Sequence, residues 1–158
     1  MSLVLTIDPS GSGSTGVCLI NKKEGGESFT FFEFKDSNWE EHLLFLFCFL
    51  NIHKPDIVVF ETTNYIKHKM QSSLDLLKLI GAIVSLKLFF EFINSLDSVA
   101  VNQVKACKRK IQEKKVIIPN LNYELGRGKG WSYQGKRISL HQLDAFIVFF
   151  LWQKKKKS

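Results

Sequence analysis

The chain has 158 residues, of which 45% are apolar and 23% are charged. This length and composition suit one globular domain with a buried core and exclude two full domains. The 22 basic residues outnumber the 15 acidic ones and give a net charge of +7, which favours an anionic partner.

Cysteine spacing and hydropathy further restrict the class of protein to which this chain can belong. The three cysteines are far apart and lack Cys-x-x-Cys spacing, so we expect free thiols in a reducing compartment. The apolar runs at 43–50 and 146–152 are well short of the ~20 residues that a membrane span requires. We find no signal-peptide pattern at the start. These features predict a soluble cytoplasmic protein with no membrane partner.

The first part of the chain predicts an antiparallel meander of three strands. Residues 3–8, 15–20 and 28–34 are rich in β-branched and apolar side chains. A glycine-serine turn at 9–14 and a glycine turn at 22–27 join them.

Helices and strands alternate in the rest of the chain. We expect a helix at 37–51 capped by Ser37 or Asn38, a buried strand at 56–61, a long helix at 71–94, a strand at 99–101, a basic helix to 115, an exposed loop at 119–136 and a helix at 137–153. Ser139 and Gln142 have the spacing of a capping box, which marks the start of the last helix. The pattern predicts one α/β domain over residues 1–153, with a mixed sheet flanked by helices, and a basic tail at 154–158.

Three carboxylates and one histidine stand out as candidates for a metal site. Asp8 ends the first strand and Glu61 ends the fourth, and open α/β sheets gather ligands at the carboxyl ends of their strands. His141 and Asp144 share one face of the last helix. Taken singly, each is an ordinary polar residue near water. Together they form an oxygen-rich set that suits Mg²⁺ or Mn²⁺ better than a structural zinc.

These residues resemble the RuvC-type Holliday-junction resolvases of the RNase H-like superfamily. The resemblance rests on Leu5-Thr6-Ile7-Asp8-Pro9 leading to Thr15-Gly16-Val17, on the strand that ends in Glu61, and on His141-Gln142-Leu143-Asp144-Ala145. In this order the motifs span nearly the whole chain. Ser10 replaces the family's glycine after Asp-Pro, and the segment at 126–137 differs from the bacterial pattern, which favours a phage or mobile-element type. These departures leave any preferred cleavage sequence and any cooperation with a branch-migration motor open.

The resemblance implies an RNase H-like fold and a site that binds two divalent metals, Mg²⁺ with Mn²⁺ as a substitute. By position, Asp8, Glu61, His141 and Asp144 become the catalytic and metal-binding residues. The implied reaction is phosphodiester hydrolysis at a four-way DNA junction by a homodimer. Paired nicks would leave 5′-phosphate and 3′-hydroxyl ends, an activity used in DNA recombination and repair.

The positive charge is concentrated in one segment, which we interpret as the DNA-binding surface. Residues 101–137 hold ten basic side chains and two acidic ones. Glycines and aromatic residues within this segment favour close backbone approach and base stacking. A further aromatic and two lysines follow Glu61. The candidate nucleic-acid-binding residues are Tyr65, Lys67, Lys69, Lys105, Lys108, Arg109, Arg127, Lys129, Trp131, Tyr133, Lys136 and Arg137.

Other readings of the same pattern stay open at this point. An ATP-binding domain of the sugar-kinase and actin type shares the opening aspartate and glycine loop, but needs two such domains and this chain supplies one. A RuvX-like RNA-processing nuclease shares the same opening. A non-catalytic junction-binding protein of the same fold would bind branched DNA without cutting it.

Overall fold

The computed structural model describes residues 2–63, 71–124, 126 and 130–157. Its elements in chain order are β1 (Ser2–Asp8), β2 (Gly13–Lys23), β3 (Gly26–Asp36), α1 (Trp39–His53), β4 (Ile57–Thr62), α2 (Gln71–Phe89), β5 (Ser95–Ala100), α3 (Val101–Gln112), β6 (Leu121–Tyr123), β7 (Trp131–Tyr133), β8 (Lys136–Arg137) and α4 (Leu140–Lys157).

The main sheet has five strands in the order β3-β2-β1-β4-β5. The first three strands pair antiparallel, whereas β1 with β4 and β4 with β5 pair parallel. The two-residue turn between β2 and β3 places Gly25 at φ 99°, a backbone angle that glycine adopts without strain. The predicted mixed sheet, with a meander followed by parallel strands and flanking helices, is confirmed.

Alternating side chains of the strands supply two separate core layers. Leu5 and Ile7 of β1 face α1 and α2, whereas Val4 of the same strand faces α4 and the small sheet. This is the period of two expected when both faces of a sheet are covered. Both layers are rich in fully buried aliphatic and aromatic side chains.

Helix α4 forms the centre of one layer. Phe146, Ile147, Val148 and Phe149 are all buried, so the middle of the helix contacts protein on every side. The capping box is confirmed: the Gln142 main-chain N–H donates to Ser139 Oγ at 3.1 Å, and the Ser139 N–H donates to Gln142 Oε1 at 2.9 Å.

The last helix, predicted at 137–153, instead begins at Leu140 and continues through the basic residues to Lys157. Two contacts with Asp97 of β5 hold this last part of the helix. Trp152 Nε1 donates to Asp97 Oδ2 at 2.8 Å, and Lys156 Nζ lies 3.6 Å from the same oxygen. Lysines in the last turn also interact favourably with the helix dipole.

Other element ends differ from the prediction by a few residues. Helix α1 begins at Trp39 with Asn38 as its N-cap residue, as predicted. The Asn38 side chain makes no capping hydrogen bond, and its N–H donates to Asp36 Oδ1 at 2.8 Å. Helix α2 ends at Phe89 and is followed by a turn in which the Ile93 N–H donates to the Phe90 carbonyl at 3.1 Å. Strand β5 is correspondingly longer than predicted, and α3 ends at Gln112.

The exposed loop predicted at 119–136 is wrong for the described part of that segment. Strands β6, β7 and β8 form a small antiparallel sheet there. Leu121, Trp131 and Tyr133 point into the core layer of α4. The three cysteines are free, and no helix in the described part of the chain is long and apolar enough to cross a bilayer.

Candidate active site

The parallel pairing of β1 with β4 places two of the candidate carboxylates at one edge of the sheet. Ile7 pairs with Phe60, so Asp8 and Glu61 follow on neighbouring strands at their carboxyl ends. Both side chains are only partly exposed. The position is the one at which open α/β sheets bind ligands.

Helix α4 supplies the other two candidates because its first turn lies directly on β2. Gly16 pairs with Asp8 across the sheet, and a Cβ on Gly16 would overlap the main-chain carbonyl of His141. Only glycine permits this close approach. It brings His141 to the end of β1, where Nδ1–H donates to Asp8 Oδ2 at 2.8 Å.

Asp144, one turn further along α4, is held by a lysine from α3. Lys108 Nζ donates to both oxygens of the Asp144 carboxylate, each at 2.7 Å. The side chains are 21% and 18% exposed, so this ion pair is mostly shielded from water.

Burial and neighbouring charges shift the pKa values of Asp8, Glu61 and His141. Desolvation and the charges of Asp8 and Asp144 raise the pKa of Glu61 to about 8, against the lowering effect of Lys108 and Lys105. Burial also raises the pKa of Asp8, although the hydrogen bond from His141 opposes this. The same bond raises the pKa of His141. The four predicted residues therefore share one electrostatic environment.

One atom of this group has no hydrogen-bond partner among the described residues. This atom is the buried Oε2 of Glu61. A buried carboxylate oxygen without a partner is costly, and it usually marks a site for a proton, a water or a cation. As the side chains stand, no three His, Cys, Asp or Glu residues within the described ranges are close enough to hold an ion. Two of the four candidates bond to each other, and a third is covered by Lys108.

A buried polar network, which the sequence did not reveal, fixes the turn after Asp8. The Ser10 N–H donates to Thr15 Oγ1 at 3.0 Å, and Thr15 Oγ1 lies 2.8 Å from His42 Nδ1. Since the Asp36 carbonyl can only accept, His42 carries its proton on Nε2, 3.1 Å away, and Nδ1 accepts from Thr15. Gly11 of the same turn lies against the α2 backbone at Leu76, where a Cβ would overlap main-chain atoms.

Glu33 is a second residue that sequence reasoning missed. It pairs with Gly16 on the neighbouring strand, and its charge raises the pKa of His141. Hydrogen bonds from Ser139 and Ser14 hold the pKa of Glu33 below its usual value. Only the register of β2 with β3 indicates that Glu33 lies near His141, and this register is not known until the strands are paired.

Apart from Trp131 and Tyr133, the predicted DNA-binding residues fall into three groups. Lys105 and Arg109 are exposed on α3, and Lys136 and Arg137 are exposed in β8. Lys108 is turned inward onto Asp144. The others lie outside the described residues: Tyr65, Lys67, Lys69, Arg127 and Lys129.

The structure corrects the prediction that Trp131 and Tyr133 stack on bases. Both are buried, at 4% and 8% exposure. The Tyr133 ring packs edge-on against Phe29 and Phe146, with centroids 5.6 and 5.1 Å away. These rings belong to the core, where their apolar area stabilises the fold, and they are not available to bases.

Comparison with known proteins agrees with this architecture. No protein-family model and no curated protein sequence matches the chain. Among solved structures, Thermus thermophilus RuvC in complex with a Holliday junction substrate matches with a TM-score of 0.68 and 11% identity, over 100% of this chain and 98% of that one. Fowlpox virus resolvase, in complex with Holliday junction DNA, matches with a TM-score of 0.55 and 14% identity, over 99% of each chain.

A third solved structure extends the comparison to eukaryotes. The yeast mitochondrial Holliday junction resolvase Ydc2 matches with a TM-score of 0.55 and 14% identity, over 99% of this chain and 80% of that one. The resemblance inferred from the motifs around Asp8, Glu61 and Asp144 is thus confirmed at the level of architecture. The chain has the RuvC-like form of the RNase H-like fold.

Proposed function

We propose that this protein is a metal-dependent endodeoxyribonuclease that resolves four-way DNA junctions. The observation that carries the proposal is the convergence of Asp8, Glu61, His141 and Asp144 at one end of the sheet, where a buried oxygen of Glu61 has no partner within the described ranges. A carboxyl group whose pKa is strongly raised by burial and by neighbouring like charges, as for Glu61, is a candidate for a functional site.

The donor set fits divalent metal ions of the hard type. Three carboxylates and an imidazole, with no thiolate, are the ligands that Mg²⁺ and Mn²⁺ prefer. The repulsion that raises the pKa of Glu61 is relieved by a cation at the same place. We assign two Mg²⁺ ions per site to Asp8, Glu61, His141 and Asp144, with Mn²⁺ as a substitute. When bound, such ions supply an activated water and stabilise the leaving oxygen of a phosphodiester.

The chain's own residues prepare this chemistry. Asp8 accepts from Nδ1–H of His141, which fixes the imidazole ring and leaves Nε2 as the nitrogen that can bind a ligand or carry a proton. Glu33 adds negative charge near this ring. Lys105, which is exposed and close enough to affect Glu61, is placed to attract a phosphate toward the carboxylates.

Branched DNA is the substrate that best fits the charge and the fold. The basic segment 101–137 carries most of the excess positive charge, and two proteins of similar fold were solved with Holliday junctions. A homodimer would place one site on each of two strands and make paired nicks with 5′-phosphate and 3′-hydroxyl ends. The exposed apolar residues Val84, Leu88 and Phe89 at the end of α2 support such an interface.

A cleavage assay tests the proposal directly. Four-way junction, flap, duplex and structured RNA are incubated with the protein and Mg²⁺, Mn²⁺ or EDTA. We expect nicks in the four-way junction with either metal and none in EDTA. Asp8→Asn and Asp144→Asn should abolish cutting and retain junction binding in a gel-shift assay. Glu24→Gln, which removes an exposed carboxylate from the β2–β3 turn, is the matched control and should cut normally.

Each alternative gives a distinct result in this assay. Preferential cutting of structured RNA would assign the protein to the RuvX-like RNA-processing type. Binding of junctions without nicks under any metal would make it a junction-binding protein. Normal cutting by Asp8→Asn or Asp144→Asn would refute the assigned site.

A further inference from the structure

The contact between Lys108 and Asp144 is unlike the surface ion pairs of this protein. Nζ donates to both carboxylate oxygens at 2.7 Å, and both side chains are largely shielded from water. By contrast, Arg109 and Glu113 are 3.9 Å apart and well exposed. Lys115 and Glu113 approach to 2.7 Å, but both side chains are exposed to water. A short charge-assisted contact of this kind is stronger than a solvated one.

Lys108 also faces the rest of the site. Its positive charge lowers the pKa of Asp8 and of Glu61, in addition to its direct contact with Asp144. One ammonium group therefore favours the ionised form of three neighbouring carboxyl groups whose charges disfavour one another. This is the electrostatic task that a bound cation would perform there.

We propose that Lys108 is an internal counter-ion that holds Asp144 in the metal-free protein and competes with divalent metal for it. This inference rests on the proposed function, because it concerns the same metal site. Lys108 is a positioning residue: it compensates the carboxylates until an ion displaces it, and so it weakens metal binding.

The physical basis of the competition is both steric and electrostatic. Nζ covers both oxygens of Asp144, so an ion cannot engage them on that side while the ammonium group stays. Two positive charges at one carboxylate also repel each other. Lysine is suited to leave, because its flexible stem lets the ammonium group move away without a change in the α3 backbone.

Metal binding without DNA tests the proposal. Mn²⁺ is titrated into the metal-free protein, and the loss of the free-ion electron paramagnetic resonance signal gives the affinity. Lys108→Met keeps the length of the side chain and removes its charge. We expect at least about tenfold tighter Mn²⁺ binding, since the ion no longer displaces two charge-assisted hydrogen bonds.

The control is Lys110→Met, which removes the same charge from an exposed position on the same helix. It should bind Mn²⁺ as the wild type does. Equal or weaker binding by Lys108→Met would overturn the competition and leave the metal site intact. An absence of Mn²⁺ binding by all three proteins would overturn the metal site of the proposed function, and the competition with it.

A second measurement uses the wild-type protein and does not depend on the variant folding. The rate of amine acetylation at Lys108 is followed by mass spectrometry with and without Mg²⁺, with Lys110 as internal reference. We expect Mg²⁺ to raise the Lys108 rate several-fold relative to Lys110, because the ammonium group is released from Asp144. In Asp144→Asn the rate should already be high and independent of Mg²⁺. A Lys108 rate that Mg²⁺ does not change would refute the displacement.

Discussion

The Cα of Gly16 lies against the main-chain carbonyl of His141, so closely that no side chain fits between β2 and the first turn of α4. Because Gly16 pairs with Asp8, this contact sets the position of His141 relative to the end of β1. The hydrogen bond between His141 and Asp8 depends on this glycine.

Gly16→Ala should therefore disturb both stability and the site. The added methyl group meets backbone atoms, which cannot move aside as a flexible side chain would. We expect a loss of about 1–3 kcal/mol in the free energy of unfolding, measured by urea denaturation. Cleavage should fall as well, since α4 carries two of the four candidate ligands.

Gly81→Ala is the matched control for this substitution. Gly81 lies inside α2 with no atom within 4 Å of an added Cβ. Alanine is the better helix former, so this variant should be more stable by roughly 0.5–1 kcal/mol. A Gly16→Ala protein as stable as the wild type would show that α4 does not rest on β2 as described.

The metal-free protein should become less stable as pH rises. The pKa of Glu61 is 4.5 in the unfolded chain and about 8 in the folded protein. Between these values the folded state binds more protons, so the free energy of unfolding falls as pH increases. Asp8 acts in the same direction, because its pKa is also raised. The stability that His141 contributes is present below its unfolded value of 6.5 and is lost as pH rises through its higher folded value.

Urea denaturation in EDTA between about pH 5 and about pH 8 measures this dependence. Glu61→Gln should flatten the slope, because the amide does not titrate. The lowered pKa values of Glu33 and Asp97 affect stability only as pH falls below this window. Constant or rising stability across the window would contradict the burial of Glu61 among like charges.

The salt dependence of DNA binding should identify the basic surface. Joint replacement of Arg127, Lys129, Lys136 and Arg137 by neutral residues should weaken binding to every DNA. The log-log slope of affinity against salt should fall by about one for each lost phosphate contact. Fluorescence anisotropy over a salt series gives this slope.

The four lysines that end α4 provide a control with the same loss of charge, far along the helix from Asp144. Their replacement should leave the slope nearly unchanged. An unchanged slope in the first variant would instead assign that surface to a protein partner.

Local signals were sufficient to predict much of the fold and the four candidate ligands. A capping box, glycine turns and strand-terminal acids each depend on residues close in sequence, as Ser139 and Gln142 illustrate. The contact of Lys108 with Asp144 joins residues 36 positions apart, and no sequence pattern encodes it. Tyr133 was misassigned for a related reason. Aromatic and basic residues side by side resemble a DNA-binding loop, and only the packing of its ring on Phe29 and Phe146 shows that it belongs to the core.

The two core layers differ in the order in which their segments are synthesised. The buried residues of the layer of α1 and α2 all lie in segments that are synthesised before β5. The opposite layer lacks its central helix until α4 emerges, after every strand of the main sheet has been made. Until α4 is made, that face of the sheet lacks its central helix, and His141 and Asp144 arrive on the element that completes it. Under the proposed function, a chain that lacks α4 would not cut nucleic acid, because the helix that completes the core also carries two of the four candidate ligands.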